Sequence, residues 1–185
     1  MFEGVKVRLR SLELEDLEDI MKDWNTLSLR VNTGRALPDP RKSREEFIRD
    51  SWEYRKEGRG YIFAIEQLET KEFLGHCSLF IINRTARSAN LGIFIYNKDN
   101  QGRGYGTDAM RVLLKIGFDF LNLHRIELGV YPVNKRAIHV YQKVGFKKVG
   151  RKREARFMSG EYRDEIIMDV LRSEWLQNKN KNKNK

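Results

Sequence analysis

The chain has 185 residues, 40% of them hydrophobic, which fits one globular domain with a sizeable core. No apolar run approaches the ~20 residues that span a bilayer, and we expect no signal sequence or membrane partner. The single cysteine, Cys77, cannot form an internal disulfide, so we expect a cytoplasmic protein. Because Cys77 lies within a strand-like run, we do not expect it to act as a nucleophile.

The formal net charge is +10, and four of these charges belong to lysines in an Asn/Lys-rich tail, which leaves +6 on the body. This tail, residues 177–185, has nothing to bury, so we expect it to be disordered and the folded domain to span residues 1–176. The positive body suits a polyanionic ligand and argues against a polycationic substrate. Nucleic-acid binding is an alternative that depends on charge alone, and we do not expect it. Its basis would be the tail together with Lys147, Lys148, Arg151, Lys152 and Arg153.

The N-terminal part of the chain predicts one strand and two helices. Residues 5–10 alternate apolar and polar side chains, as in a half-buried strand, and Ser11 is the expected N-cap of a helix. A proline-containing loop is expected over residues 25–42. The stretch Ser43–Glu46 resembles a capping box, which would open a second helix ending near Lys56. This helix–loop–helix is expected either to face the substrate or to cover a sheet edge.

Three strands with short connections are predicted next, over residues 61–67, 73–82 and 90–96. They should form an antiparallel meander. A mostly apolar helix over residues 108–121 is expected to lie buried across the sheet. That crossover lets the following strand, residues 125–131, enter parallel to its predecessor.

The C-terminal part predicts a helix over residues 134–144, strand-like segments at 146–149 and 155–157, and a strand over 162–171. A hairpin turn at Ser159 and Gly160 should precede the last strand. The predicted fold is therefore a single α+β domain. Its mixed, mostly antiparallel central sheet has about seven strands, with helices on both faces.

A glycine-rich stretch lies between an apolar strand and the long apolar helix, and it reads Gln101-Gly102-Arg103-Gly104-Tyr105-Gly106-Thr107. The order strand, turn and helix aims backbone N–H groups and a positive helix end at an anion. The glycines let a phosphate approach the main chain, and Arg103 adds a positive charge. The spacing matches neither a Walker A loop nor a dinucleotide fingerprint. The loop alone therefore leaves two interpretations, an anion site and a glycine-rich turn without a ligand.

A second group of residues recurs at helical spacing and consists of Asn134, Ala137 and Tyr141, followed by Gly145-Phe146. Taken alone, Tyr141 suits a core position better than a catalytic one. In order and separation, however, this group and the glycine loop together resemble the acetyl-CoA-binding core of the GNAT N-acetyltransferases. Residues 122–126 and 157–164 are similar to the branch that holds ribosomal-protein N-terminal acetyltransferases and polyamine acetyltransferases.

The resemblance implies acetyl transfer from acetyl-CoA directly to a primary amine in a ternary complex, with no metal ion. The loop N–H groups would hold the pyrophosphate, and strands 90–96 and 125–131 would splay to pair with the pantetheine arm. An N–H near Phe94 or Ile95 would polarise the thioester carbonyl. The residues implied to contact the cofactor are Phe94, Ile95, Gln101, Gly102, Arg103, Gly104, Tyr105, Gly106, Thr107 and Asn134.

The resemblance also places Tyr141 where an acid would protonate the departing thiolate, since a tyrosine has a pKa of about 10 and a thiol about 8.5. The general base is open. Residues 89–94 contain no glutamate, and Gly129 stands where some members carry one, which leaves Glu127 as the candidate. A water-relayed base, or none that is essential, is a further alternative. Two histidines, His124 and His139, are alternatives on pKa grounds.

The implied acceptor is a peptide or protein N-terminus or a small amine. Two other functions are kept open: a polyamine acetyltransferase, and a non-catalytic acyl-CoA-binding regulatory module. The absence of a strand carboxylate favours the regulatory module, whereas the presence of Tyr141 speaks against it. The oligomeric state is also open, with a homodimer as one outcome.

Overall fold

The computed structural model describes residues 2–33, 37–158 and 160–183, which form one seven-stranded sheet flanked by helices. The strands are β1 (Val7–Ser11), β2 (Gly60–Gln67), β3 (Phe73–Asn83), β4 (Ser88–Ile95), β5 (Arg125–Val130), β6 (Lys147–Met158) and β7 (Glu161–Leu171). The helices are α1 (Leu17–Trp24), α2 (Leu27–Thr33), α3 (Arg41–Lys56), α4 (Tyr105–Lys115), α5 (Lys135–Lys143) and α6 (Arg172–Lys183). None of the described helices is long and apolar enough to cross a membrane.

The strand order is β1-β2-β3-β4-β5-β7-β6, and the predicted meander of β2, β3 and β4 is confirmed as antiparallel. The parallel entry of β5 beside β4 is also confirmed. This parallel pairing is short, because it begins at Ser88 opposite Arg125 and ends at Asn90 opposite Glu127. Beyond that point the two neighbouring strands no longer pair, while β5 continues along β7 to Val130.

Helix α4 makes the crossover between β4 and β5 and lies on one face of the sheet. It is buried over most of its circumference, and a π-helical segment, Ile116–Phe120, continues it. Alternate residues of β5 pack against this face, namely Ile126, Leu128 and Val130. The alternation of the strand and the periodicity of the helix therefore meet in one core, which also receives α5 through Ile138.

Helices α1, α2 and α3 cover part of the opposite face through a second core. In α1 the buried residues Leu17, Ile20 and Trp24 recur at helical spacing, so they form one stripe. This stripe packs with Ile48 of α3 and with Ile62 of β2. The N-terminal helices therefore cover a face of the sheet and not the expected edge, and their core reaches Tyr96 directly after β4.

The boundaries of these N-terminal helices differ from the predicted ones. Helix α2 lies within the stretch expected to be a loop. Helix α3 begins at Arg41 after Pro40, whose extended conformation precedes the first helical turn, so Ser43 lies inside the helix and does not cap it. Ser11 belongs to β1, and the capping box that precedes α1 is made by Glu13 and Asp16. Serine and acidic residues compete for cap positions, and tertiary packing selects among them.

The C-terminal region also differs from the prediction. The two short strand-like segments are one strand, β6, whose register shifts at two places along β7. The hairpin between β6 and β7 joins Met158 to Glu161, and its Gly160 has φ +85°. Ser159, the other residue of the predicted turn, lies outside the described residues. The expected disordered tail began at Gln177, yet α6 continues to Lys183. The Lys179 ammonium, 2.8 Å from the Asp119 carboxylate, ties this helix to the body.

Candidate functional site

The glycine loop joins β4 to α4, and its backbone is held in conformations that favour glycine. Gly102 has φ +82°, and Gly104 has φ +87° and is the N-cap of α4. The helix therefore begins at Tyr105, three residues before the predicted start, which places Gly106 and Thr107 in its first turn. A side chain at Gly102 would meet no atom within 4 Å, so the surface of the loop is open.

Backbone N–H groups of this loop are left without acceptors. The first N–H groups of an α-helix have no partner within the helix, and here they belong to Tyr105, Gly106 and Thr107. Across the described ranges, the N–H groups of residues 102–104 have no hydrogen-bond acceptor either. The positive end of the helix dipole adds to these donors, so the loop has the features of an anion site.

Lys6 brings a second positive charge to the loop beside Arg103, and sequence reasoning missed it. Its ammonium donates to the carbonyl oxygen of Arg103 over 2.8 Å. The segment that carries it, directly before β1, is fixed by Asp108, whose carboxylate accepts from the N–H groups of Lys6 (2.7 Å) and Val7 (3.1 Å). These contacts join segments about a hundred residues apart, so no local pattern reveals them.

Two further predicted residues of the loop, Gln101 and Gly106, lie against Ile95 at the end of β4. Gln101 donates from its amide to the carbonyl oxygen of Ile95 over 2.8 Å, which fixes the entry of the chain into the loop. A side chain at Gly106 would lie 3.6 Å from Ile95, so this glycine permits close packing of helix on strand. Tyr105 is buried in the α4 core, whereas Arg103 is exposed. Gln101 and Tyr105 thus support the loop, and the exposed backbone faces solvent.

A cleft opens beside the loop where β4 and β5 separate. Residues 91–95 of β4 have no β5 partner, since the parallel pairing ends at Asn90. The predicted contacts Phe94 and Ile95 both lie on this unpaired part. Phe94 stacks on His76 with ring centroids 4.7 Å apart, which orders this end of the strand. The unpaired strand edge and the glycine loop are therefore continuous with each other.

Asn134 and Tyr141 belong to the same helix, since Asn134 caps α5 and Tyr141 lies two turns further along it. Asn134 is the N-cap, and its side-chain oxygen accepts from the N–H of Ala137 over 3.1 Å. This oxygen is engaged in capping, so the amide nitrogen is the atom of Asn134 left for a ligand. Tyr141 packs against the α4 core and contacts Phe146, with ring centroids 6.0 Å apart.

Burial of the phenol ring raises the pKa of Tyr141 to about 12. The side chain as a whole is half-buried, so its ring packs in the core while part of the side chain remains accessible to solvent. Within the described residues this hydroxyl makes no hydrogen bond. It is therefore a protonated donor at neutral pH whose proton is not committed to the fold.

The predicted base Glu127 lies at the closed end of the cleft. It sits opposite Asn90 in the last parallel pair, and its carboxylate is 2.8 Å from the Arg125 guanidinium. Sequence reasoning missed a second carboxylate, Glu165 of β7. Its side chain fills the space beside Gly129, where a Cβ would lie within 2.5 Å of the Glu165 Cδ. The histidines His124 and His139 are both exposed.

Other residues considered from the sequence have different roles in the structure. Cys77 is fully buried, and burial raises the pKa of its thiol, so it offers no thiolate. Several basic residues proposed for nucleic acid are paired instead: Lys147 with Glu174, Arg151 with Asp164, and Lys152 with Glu165. These ion pairs weaken the argument for nucleic-acid binding, which depends on charge alone.

The helices beside Phe94 carry a mixed charged cluster. Asp39 accepts from the indole N–H of Trp24 over 2.8 Å, and it lies 3.4 Å from Arg30 and 3.5 Å from Arg44. The Arg44 guanidinium also stacks over the Trp24 ring, 4.5 Å from its centroid. This cluster holds α1, α2 and α3 against the side of the sheet on which Phe94 lies.

Comparison with known proteins gives a consistent result. The model of the acetyltransferase (GNAT) domain family matches residues 6–147. The spermidine N(1)-acetyltransferase of Escherichia coli K12 is 32% identical, and the match covers 92% of this chain and 88% of that protein. A ribosomal protein uS5-alanine N-acetyltransferase of the same bacterium is 24% identical over 66% of this chain and 63% of its own length.

Solved structures agree with these sequence relatives. The spermidine N-acetyltransferase of Vibrio cholerae, solved with CoA and spermine, superposes with a TM-score of 0.82 and 29% sequence identity. The superposition covers 92% of this chain and 98% of that one. It confirms the predicted fold, including the single mixed sheet with helices on both faces. The chain belongs to the GNAT family of acetyltransferases.

Proposed function

We propose that this enzyme transfers acetyl from acetyl-CoA to the primary amine of a small molecule. The observation that carries the proposal is the continuity between the glycine loop at the start of α4 and the unpaired edge of β4 at residues 91–95. One end of this surface suits a pyrophosphate, and the other suits an extended chain that bears amide groups. A peptide N-terminus is the second candidate acceptor, supported by the similarity to the ribosomal-protein enzyme.

The residues present fit coenzyme A. Free N–H groups over residues 102–107 and the charges of Lys6 and Arg103 match a diphosphate. The edge of β4 offers backbone groups to the pantetheine amides, and Asn134 keeps its amide nitrogen available at the start of α5. The Vibrio cholerae neighbour was solved with CoA, which supports the same ligand here.

The chemistry requires an activated carbonyl and a proton for the leaving group. Bound acetyl-CoA supplies a thioester, whose C–S bond breaks as the amine nitrogen bonds to the acetyl carbon. The N–H groups near Phe94 and Ile95 would stabilise negative charge on the carbonyl oxygen. Tyr141 would hold the proton that the sulfur takes, because its hydroxyl stays protonated at neutral pH.

Direct transfer to the amine agrees with the surroundings of Cys77. An acetyl-enzyme formed on cysteine would require an accessible thiol. Cys77 is the only cysteine in the sequence, and its side chain is buried. We therefore expect a ternary complex, with initial-rate plots that intersect when both substrates are varied. Parallel lines would instead indicate an acetyl-enzyme.

Spermidine is the first acceptor to test, because the enzymes from Escherichia coli and Vibrio cholerae are named for it. We expect acetyl-CoA-dependent thiol release with at least one member of a panel that contains spermidine, an alanine-starting tripeptide and a free amino acid. Mass spectrometry should find one acetyl group on the amine. Binding of acetyl-CoA without thiol release for any acceptor class would contradict the proposal and favour a regulatory acyl-CoA-binding module.

Replacing Lys6 by methionine is expected to weaken acetyl-CoA binding about fivefold, the effect of the roughly 1 kcal/mol that an exposed charge contributes. The side chain is exposed and makes its hydrogen bond to a loop carbonyl, so the fold should be unaffected. Isothermal titration at low and high salt measures the effect, which should shrink as salt screens the charge. Lys22→Met is the matched control, since Lys22 is exposed on α1 and pairs with Asp19. Equal affinities for wild type and Lys6→Met would contradict a role at the pyrophosphate.

A further inference from the structure

The wall of the cleft contains a carboxylate supplied by a neighbouring strand. The parallel pairing of β5 with β4 ends at Glu127, and Gly129 lies two residues further along β5. It has no side chain, and a Cβ at this position would overlap the Oε1 atom of Glu165 on β7. The Glu165 carboxylate therefore occupies the space into which a side chain at position 129 would project.

This carboxylate lies on the side of the sheet away from α4. The alternate β5 residues Ile126, Leu128 and Val130 pack into the α4 core, so Gly129 faces the opposite side. Phe94 of β4 faces that same side, where it meets His76 and Trp24. An acceptor that approaches the unpaired part of β4 from this side would find Glu165 on the other wall of the cleft.

The two oxygens of Glu165 have different environments. Oε2 lies 3.3 Å from the ammonium of Lys152 on β6. Oε1 lies beside the bare backbone of Gly129 and has no hydrogen-bond partner among the described residues. The carboxylate is therefore positioned by one oxygen and available through the other. The register and the alternation of the strands place five titratable or charged residues on the same face as Glu165: Glu127 of β5, Tyr131 directly after β5, Lys152 of β6, and Arg163 and Asp169 of β7.

We propose that Glu165 removes the proton from the acceptor ammonium, directly or through one water. The inference rests on the proposed acetyl transfer. One ammonium proton passes to the carboxylate, and the amine lone pair forms the C–N bond. As the C–S bond breaks, the sulfur takes the proton of Tyr141, and the nitrogen returns its second proton to the tyrosinate. The balance is one amide, one thiol and one proton, which Glu165 releases to water.

Glu127 fits this task less well, although it faces the same side of the sheet. It lies at the last paired position, where β4 still covers the edge of β5, and its carboxylate is paired with Arg125. Glu165 instead lies beside Gly129, past the point where the strands separate. The absence of a side chain at Gly129 is what admits the carboxylate from β7.

The test is the pH dependence of kcat/KM for Glu165→Gln, measured with the acceptor that the panel identifies. We expect a loss of about 100-fold at pH 7, the usual contribution of a general base, with the dissociation constant for acetyl-CoA changed less than twofold. The deficit should shrink toward pH 10, because the amine then loses its proton to solvent. Glu161→Gln is the matched control, since it removes an exposed carboxylate from the same strand and should keep wild-type rates.

Two outcomes would overturn the inference. One is a Glu165→Gln rate close to wild type at all pH values, and the other is a deficit that stays constant with pH, which indicates a structural role. If this variant does not fold, Gly129→Ala applies the same test, because its Cβ displaces the carboxylate without removing it. A wild-type rate in that variant would overturn the inference as well. Absence of turnover by the wild-type enzyme with every amine would instead reject the proposed function and the inference together.

Discussion

Tyr141→Phe is expected to lower kcat about 100-fold while acetyl-CoA binds almost as tightly as it does to the wild type. The substitution removes one hydroxyl and keeps the ring that packs against Phe146 and the α4 core. Because this hydroxyl makes no hydrogen bond within the described chain, its loss leaves no buried partner unsatisfied. The effect should therefore fall on the proton that the leaving thiolate needs, and not on folding or binding.

The measurement combines steady-state kinetics with the dissociation constant for acetyl-CoA. Tyr162→Phe is the matched control, since it removes a hydroxyl from a tyrosine that is 64% exposed on the β6–β7 hairpin. This control should keep full activity. A Tyr141→Phe enzyme with the same kcat as the wild type across pH would reject the role of Tyr141 as the acid.

The raised pKa of Tyr141 fixes the sign of the pH effect. Burial favours the neutral phenol, so the folded enzyme keeps this proton up to a pH of about 12, above the value of about 10 for a free tyrosine. Ionisation of Tyr141 should therefore not reduce kcat below about pH 11. The neutral phenol also stabilises the fold fully below pH 10, and this stabilisation is lost as pH rises toward 12.

Gly104→Val is expected to weaken acetyl-CoA binding by at least about 100-fold, or roughly 2.7 kcal/mol. Gly104 has φ +87° and is the N-cap of α4, a conformation in which a β-branched side chain is strained. The helix start must shift to relieve the strain, and the N–H groups of residues 104–107 then lose their common direction. A new side chain would also cover the surface that a phosphate must reach.

Strain and binding are separated by a control at Gly58. Gly58 follows the C-terminus of α3, has φ +64° and is distant in sequence from the glycine loop. Gly58→Val therefore imposes a similar backbone strain at a different place. Both variants should lose thermal stability, at a cost of about 1–3 kcal/mol each. Only Gly104→Val should lose affinity for acetyl-CoA. Unchanged affinity in a folded Gly104→Val protein would reject the loop as the phosphate site.

Several predicted boundaries were wrong, and the errors have a common origin. Ser11, Ser43 and the acidic residues between them all suit N-caps, and local propensity does not rank them. The structure uses Glu13 with Asp16, and it starts α3 after Pro40. Helix α2 was missed because Leu27, Leu29 and Val31 alternate with polar residues, a spacing that is not helical. The ion pair between Arg30 and Asp39 contributes to its place in the fold.

Local sequence patterns predict the order of the elements, the glycine loop and the spacing from the loop to Asn134 and Tyr141. Each of these is a local property, because strand alternation, helical periodicity and positive-φ glycines are set by neighbouring residues. The mixed sheet followed from the same signals, since short links give antiparallel pairs and the buried α4 crossover gives a parallel one.

Contacts between distant parts of the chain, in contrast, bring further residues to the candidate site. Lys6 reaches the glycine loop from the segment directly before β1, and Asp108 anchors that segment from a position 102 residues away in sequence. Glu165 reaches Gly129 because β7 lies beside β5, an adjacency set by the register of the whole sheet. Such register reflects the burial of all seven strands together, so no single segment encodes it.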